Sequence, residues 1–248
     1  MHLRGTIVIP HRFRGPPRSG NGGYSCGRLA AFIEGPAEVT LVKPPPLDVP
    51  LTVVDEPDGS VAMYDGERLI GTGRPAKVEV EPRAFPSFEE ARAASERTFP
   101  PAAHKLPMCF VCGPDREPGD GLRLHPGPLD PGDVAWQGPV AAPWVPGADL
   151  ADADGKVAAE FVWAALDCPT AYAVGSREGF PNILLGRQAV RVERRPDAGE
   201  HCVVTAWRTA QEGRKYRAEA ALLGADGRPA AVCRATWIEV TPEVLVGL

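Results

Sequence analysis

Two separate series of alternating apolar and polar residues constrain the fold of this 248-residue chain more than any other feature. The first series lies in residues 37–81, and the second lies in residues 188–240. Asp58-Gly59 and Asp65-Gly66 interrupt the first series, and Asp226-Gly227 interrupts the second, which is typical of tight β-hairpin turns. Each series therefore predicts an antiparallel meander of short strands.

A stretch that favours a helix precedes each meander. Residues 21–33 begin at Asn21, a good N-cap, and continue with Gly22-Gly23, which permits close backbone approach. Residues 161–174 are almost wholly apolar around a single acid, Asp167. The chain thus repeats a helix followed by a meander. This repetition indicates tandem duplication of an α+β unit, in which a twisted antiparallel sheet wraps one central helix.

A proline-rich segment, residues 82–120, separates the two repeats. Its low content of β-branched residues predicts a linker, with a short helix near residues 88–94. The sequence therefore predicts an N-terminal domain over residues 1–81 and a C-terminal domain over residues 121–248. The second domain is expected to open with two strands, at residues 122–125 and 134–136.

Charge and composition exclude several classes of partner. The formal net charge of -5 argues against nucleic acid, because phosphate binding needs a basic surface. The sequence has no apolar run of membrane-spanning length and no signal-peptide pattern, so we expect a cytoplasmic protein without a membrane partner. The six cysteines are mostly scattered in apolar contexts, where reduced cysteine is common, and no disulfides are expected.

Three short motifs resemble those of hotdog acyl-CoA thioesterases. Asn21-Gly22-Gly23 at a helix start resembles their His-Gly-Gly or Phe-Gly-Gly signature, and Leu166-Asp167 resembles the Leu-Asp of their central helix. Residues 109–115, together with Gly-Leu-Arg-Leu at residues 121–124, resemble the opening of many single-domain members. The resemblance covers nearly the whole chain and implies a tandem, or double, hotdog.

The resemblance also implies an activity and an assembly. It implies hydrolysis of an acyl-CoA, with coenzyme A as part of the substrate and no separate cofactor. Hotdog pairs commonly associate further through their sheets, so a homodimer of double hotdogs is the expected assembly.

The site implied by the resemblance lies between the two halves. Backbone amides of Gly22, Gly23 and Tyr24, after Asn21, would polarise the thioester carbonyl, and Asp167 would act as general base or nucleophile. One turn further along the second helix, Thr170 would orient the acid or a water molecule. The apolar neighbours of the acid predict a raised pKa.

The implied site is complete only once per chain. The position in the first half that corresponds to the acid falls near Ala30, and Ala159-Glu160 stands where a second double glycine would be.

Two simpler interpretations of the residues in this site remain open. Asp167 could be a helix N-cap that faces solvent, followed by Pro169 in the first turn, and Gly22-Gly23 could be a flexible turn. If the second helix begins near Ala159, Pro169 must kink it.

Two further groups of residues are candidates for binding. Surface arginines could hold the phosphates of coenzyme A, and the candidates are Arg12, Arg14, Arg18 and Arg187. His104, Cys109, Cys112 and His125 have a spacing that offers four ligands to tetrahedral zinc. The alternative for this group is a turn that packs the linker without metal.

Two other functions compete with hydrolysis. A non-catalytic acyl-CoA or lipid-binding hotdog is compatible with a decayed site, because Asn21 replaces the usual residue before the double glycine. A hydratase or dehydratase would need an Asp and a His close together, and neither His125 nor His201 lies beside an acid in such a context. That second alternative is the weaker one.

Overall fold

The computed structural model describes residues 2–248, which form one antiparallel sheet of 11 strands with helices packed against it. The strands are β1 (His2–Val8), β2 (Ala37–Leu41), β3 (Pro50–Asp55), β4 (Val61–Asp65), β5 (Arg68–Pro75), β6 (Gly127–Pro128), β7 (Val140–Trp144), β8 (Ile183–Val192), β9 (Cys202–Glu212), β10 (Lys215–Leu223) and β11 (Pro229–Glu239). The helices are α1 (Gly22–Ala30), α2 (Phe88–Ser95), α3 (Ala159–Ala165), α4 (Cys168–Tyr172) and α5 (Pro242–Gly247).

The strand order shows that the two halves have the same topology. The order is β1-β3-β4-β5-β2 in the first half and, continuing across the sheet, β8-β11-β10-β9-β7-β6 in the second. Read from the centre outward, each half has one strand, a three-stranded meander and a strand that precedes the helix, and the second half adds the two-residue strand β6 at its edge. The halves meet where β2 pairs antiparallel with β8, with Ala37 opposite Val190 and Thr40 opposite Arg187.

The helix predicted at residues 21–33 is confirmed as α1, although it ends earlier. Asn21 is its N-cap, and the side-chain oxygen accepts a hydrogen bond from the Tyr24 backbone N–H at 2.9 Å. α1 packs against α3 of the other half. This packing requires small residues, because a Cβ added to Gly27 would lie 2.6 Å from the Glu160 Cα.

The second helical stretch is broken, as the prediction of a kink at Pro169 requires. α3 ends at Ala165, and α4 begins at Cys168 with Pro169 in its first turn. Asp167 lies between them with φ -77° and ψ -80°, which is not a helical conformation. The Asp167 side chain gives no capping hydrogen bond to α4.

The prediction of two strands at residues 122–125 and 134–136 is wrong. The Leu122 and Leu124 N–H groups donate instead to the carbonyls of Phe110 and Val111, each at 2.9 Å, so this segment pairs with the cysteine-containing turn. Residues 134–136 lie in turns stabilised by Asp133, whose carboxylate accepts from the N–H groups of residues 137 and 138. The strands of this half that precede the helix are β6 and β7.

The proline-rich segment contains the short helix expected there. Ser87 and Glu90 form a capping box at the start of α2, which buries Ala91 and Ala94. α2 packs on β7 and β9, so it lies against the second half. The domain boundaries at residues 81 and 121 stay a prediction. None of the helices within residues 2–248 combines the length and apolarity needed to cross a membrane.

Candidate active site

A cavity of about 240 Å³ opens beside the N-terminus of α1, between the two halves of the chain. We call it the α1 cavity. Four segments form most of its wall: residues 15, 16 and 19–22, residues 41–45, residues 183–186, and residues 237, 238 and 240. Single residues complete the wall, namely Leu106, Cys109, Asp167 and Cys168. Most of these side chains are apolar, so the cavity suits a hydrocarbon group with a polar function at the Asp167 end.

Asp167 is buried and lies against the start of α1. Its side chain is almost inaccessible, since the residue is 1% exposed. Oδ2 accepts hydrogen bonds from the Asn21 side-chain amide at 2.8 Å and from the Gly23 backbone N–H at 3.0 Å. Oδ1 is buried without a hydrogen-bond partner among residues 2–248. The interpretation of Asp167 as a solvent-facing cap is therefore wrong, because the carboxylate interacts with the other half of the chain.

Burial raises the pKa of Asp167 to about 7, as its apolar neighbours predict. Desolvation is the largest cause, because it penalises the charged carboxylate. The hydrogen bond from Gly23 opposes the shift, the charge of Cys109 adds to it, and the hydrogen bond from Asn21 opposes it. A carboxyl group with this pKa exchanges a proton readily near neutral pH.

Two of the three predicted oxyanion amides already have protein acceptors. The Gly23 N–H donates to Asp167, and the Tyr24 N–H donates to Asn21. Gly22 lies in the first helical turn, where backbone N–H groups have no intrahelical acceptor, and it contributes to the cavity wall. Gly22 is therefore the amide available to a ligand. The Tyr24 side chain points elsewhere, with its hydroxyl bonded to Arg28 at 2.9 Å and its ring stacked on Phe13.

The double glycine is needed for close packing, so the interpretation as a flexible turn is wrong. A Cβ on Gly23 would collide with the Cβ of Asp167 and lie 2.8 Å from the Trp163 carbonyl oxygen. A Cβ on Gly22 would lie 2.8 Å from the Leu185 side chain. Both glycines are inside α1 and are fixed by their neighbours.

Thr170 contacts the backbone of Asp167, and its hydrogen bonds do not include the carboxylate. Its hydroxyl donates to the Asp167 carbonyl oxygen at 2.6 Å and accepts from the Trp237 indole N–H at 2.8 Å. The hydroxyl is fully buried. Thr170 therefore positions the α3–α4 break that carries the acid. No motif in the sequence indicates the contribution of Trp237, which is distant in the chain.

The four arginines proposed for the phosphates of coenzyme A lie outside the wall of the α1 cavity. Arg12 pairs with Asp120 and Asp149, Arg14 contacts the His11 ring, Arg18 donates to the Gly247 carbonyl, and Arg187 donates to Thr40 and pairs with Glu38. The cationic residue in the wall is Lys43, which is exposed. No motif marks Lys43 in the sequence, because it lies in the segment just after β2.

A cluster of thiols adjoins the acid. The sulfurs of Cys109, Cys112 and Cys168 all lie within 4.8 Å of one another, and all three residues are buried. Hydrogen bonds from the thiols of Cys112 and Cys168, and from the backbone N–H groups of Cys112 and Val111, hold the pKa of Cys109 well below its usual range. The cluster shares only two members with the predicted zinc set, because Cys168 takes the place that sequence spacing assigned to histidine.

The two predicted histidine ligands lie outside this group of mutually close ligand atoms. His104 Nδ1 accepts a hydrogen bond from the Leu106 N–H at 3.1 Å. In a neutral imidazole the proton is then on Nε2, which cannot bind a metal in that form. Desolvation lowers the pKa of His125 to about 4. Cys168 could have been suspected only from its position next to Asp167 in the sequence.

Comparison with solved structures places the fold in a known class. A protein of unknown function with a hot dog fold from Alicyclobacillus acidocaldarius is 12% identical, with a TM-score of 0.61, over 96% of this chain and 93% of that one. The tesB protein of Mycobacterium avium subsp. paratuberculosis is 14% identical, with a TM-score of 0.58, over 90% and 88% of the two chains. The chain has the double-hotdog fold. The predicted fold class is confirmed.

A third solved structure that is similar to this chain is a proposed thioesterase from Novosphingobium aromaticivorans. It is 14% identical, with a TM-score of 0.58, and the match covers 95% of each chain. No protein-family model and no curated protein sequence matches the chain. At these identities the likeness establishes the fold, and the function has to be argued from the site.

Proposed function

We propose that this double hotdog hydrolyses an acyl thioester whose acyl group enters the α1 cavity. The observation that carries the proposal is the position of Asp167 Oδ1. Within the described part of the chain this oxygen is buried without a hydrogen-bond partner, and its residue forms part of a mostly apolar wall together with Gly22. Acyl-CoA as the particular substrate and the homodimer come from the resemblance to hotdog thioesterases and belong to the same proposal. The cytoplasmic location stays a prediction.

Hydrolysis requires one base, and Asp167 has the properties of one. The water oxygen bonds to the carbonyl carbon while its proton passes to the carboxylate. The carbon–sulfur bond then breaks, and the same proton passes from Asp167 to the departing thiolate, which leaves a carboxylic acid and a thiol. A pKa of about 7 suits both transfers, because neither protonation state is strongly favoured near neutral pH.

The start of α1 supplies stabilisation for the oxyanion. Gly22 contributes to the cavity wall, and the helix N-terminus carries partial positive charge. One positioned donor contributes about 3 kcal/mol to the stabilisation of such an oxyanion. Asn21 and Gly23 hold Oδ2, so the acid has a fixed orientation relative to this donor.

One observation favours a second function, the binding of an acyl thioester without turnover. The Gly23 N–H, which the resemblance assigns to the substrate carbonyl, donates to Asp167 instead. A site in which this bond persists with ligand bound would have one oxyanion donor fewer. Binding would survive that loss, whereas hydrolysis would be slower by roughly 10²–10³-fold.

Turnover and binding measured together separate the two functions. The experiment compares the wild type with Asp167→Asn on acyl-CoA substrates of increasing chain length. Hydrolysis predicts a fall of kcat/KM by about 10²–10⁴-fold in the variant, with the Kd for a non-hydrolysable analogue nearly unchanged. Asp130→Asn is the matched control, because Asp130 is an exposed carboxylate in a distant turn, and it should behave as wild type. Binding of the analogue without turnover by the wild type would favour the second function.

A further inference from the structure

The three-cysteine cluster brings together residues from two distant parts of the chain. Cys109 and Cys112 are in a turn within the proline-rich segment, and Cys168 begins α4. All three are nearly inaccessible, with exposures of 1%, 1% and 6%. The other three cysteines of the chain, Cys26, Cys202 and Cys233, are outside this group.

The separation of one pair of these sulfurs matches that of two ligands on one small cation. The Sγ atoms of Cys109 and Cys168 are 3.7 Å apart. Two thiolates bound to tetrahedral Zn²⁺ at about 2.3 Å are separated by about 3.8 Å, from the tetrahedral angle alone. A disulfide would require the same sulfurs to approach to about 2.05 Å. The geometry is therefore already close to that of a metal site and further from that of a disulfide.

The turn that carries Cys109 and Cys112 is shaped to present two sulfurs on one side. The Gly113 N–H donates to the Cys109 carbonyl at 2.8 Å, and a Cβ on Gly113 would lie 2.6 Å from the backbone of Cys109. The Cys109 N–H donates in turn to the Leu106 carbonyl at 2.9 Å, so backbone hydrogen bonds fix the turn on both sides of Cys109. Contacts of this kind orient the ligand residues of a metal site.

A further donor lies between the cluster and the acid. The Asn21 side-chain nitrogen is 3.8 Å from the Cys109 sulfur and 3.9 Å from the Cys168 sulfur, while it donates to Asp167 at 2.8 Å. Cys109 and Cys168 also contribute to the wall of the α1 cavity. A water molecule or a ligand in the cavity can therefore approach the cluster on the side of these two sulfurs.

We propose that Cys109, Cys112 and Cys168 form a binding site for one thiophilic divalent cation, with Zn²⁺ as the reference ion. The three protein ligands leave the fourth tetrahedral position to a ligand from the cavity side. The bound ion joins the cysteine turn to the start of α4 and so fixes the backbone next to Asp167. The proposal of a metal site does not depend on the proposed hydrolysis, and metal binding can be measured without substrate.

The test uses the full-length reduced protein, freed of metal with a chelator. Zn²⁺ is titrated in competition with a chromophoric chelator, and Co²⁺ is added to a second sample to record thiolate-to-metal absorption in the near ultraviolet. We expect one equivalent of Zn²⁺ per chain and a Co²⁺ band of thiolate origin. A wild-type stoichiometry below about 0.1, together with no such band, would overturn the proposal.

Cys168→Ser and Cys202→Ser form a matched pair of variants. Both residues are buried, but Cys202 lies in β9 outside the cluster. We expect at least tenfold weaker Zn²⁺ binding by Cys168→Ser and unchanged binding by Cys202→Ser. Equal affinity of Cys168→Ser and wild type would also overturn the proposal.

Alkylation of the wild type provides a readout that does not depend on the folding of a variant. Peptide mapping should show that Zn²⁺ slows modification of Cys109, Cys112 and Cys168 by at least tenfold, and that it leaves the rates at Cys26 and Cys233 unchanged. Equal protection of all cysteines would indicate general stabilisation and would contradict a site at these three residues.

Discussion

The Asp167 carboxylate and the Gly23 backbone nitrogen lie 3.0 Å apart, and they belong to different halves of the chain. The N-terminus of a helix favours a negative charge, whereas burial opposes it. The pKa of about 7 shows that burial is the stronger of the two effects for Asp167. The contact between the halves therefore holds an acid that is only partly ionised at neutral pH.

Gly23→Ala should destabilise the protein by about 3 kcal/mol or more, because the added methyl group meets the Asp167 Cβ and the Trp163 carbonyl. For a chain of this size the loss corresponds to a fall in Tm of roughly 6–12 °C, measured by thermal unfolding. Gly247→Ala is the control, since a Cβ there has open space. An unchanged Tm for Gly23→Ala would show that the helices separate easily.

Much of the fold could be predicted from local sequence signals. The strands β9, β10 and β11 lie within the second alternating series, and Gly59, Gly66 and Gly227 occupy turns with positive φ, as the Asp-Gly pairs indicate. Asn21 caps α1 as expected. These features depend on residues near one another in the chain, so periodicity and turn chemistry are enough to find them.

The arrangement of the site depends on contacts that local patterns do not contain. Cys168 joins Cys109 and Cys112 because α4 begins beside the cysteine turn, and Trp237 reaches Thr170 from the last strand. The prediction of a strand at residues 122–125 is wrong for the same reason, because N–H groups of this segment donate to carbonyls in the cysteine turn. Spacing in the sequence gives no distance between segments that meet only after folding.

Substitutions at Asn21 should separate capping from support of the acid. Asn21→Ala loses both the hydrogen bond to the Tyr24 N–H and the one to Asp167, and loss of the cap alone costs about 1 kcal/mol. Asn21→Ser keeps a capping oxygen but is too short to reach the acid. We expect both variants to lose turnover, by roughly tenfold or more, and only Asn21→Ala to lose the stability of the cap. Equal turnover of Asn21→Ser and wild type would mean that Asn21 serves α1 alone.

Asp167→Asn should stabilise the metal-free protein at pH 8 while it removes activity. The carboxyl titrates near 3.8 when unfolded and near 7 when folded, so the unfolded state releases its proton first as the pH rises. Stability is therefore lost between about pH 4 and pH 7, by up to about 4 kcal/mol for this shift. The uncharged Asn has no such penalty.

Urea unfolding at pH 5 and pH 8 measures this effect. The difference in free energy of unfolding between Asp167→Asn and wild type should grow from pH 5 to pH 8 in favour of the variant. The exposed control Asp130→Asn should show no such growth. A difference for Asp167→Asn that is independent of pH would mean that its carboxyl has an ordinary pKa in the folded protein.

Lys43 should contact the phosphates of coenzyme A in place of the arginines predicted from the sequence. Lys43 is exposed in the cavity wall, whereas Arg187 donates to Thr40 and lies 3.7 Å from the Glu38 carboxylate. Lys43→Ala should raise KM for an acyl-CoA by about three- to tenfold, because one exposed charge contact contributes about 1 kcal/mol.

Two controls test the assignment of this contact to Lys43. The Lys43→Ala substitution should not change KM for the same acyl group on a short thiol without phosphates, and Arg187→Ala should leave both KM values as in wild type. Added salt should reduce the effect of Lys43→Ala, since screening weakens exposed charge interactions. A rise in KM confined to Arg187→Ala would place the phosphates beside Arg187 in β8 and restore the sequence-based prediction.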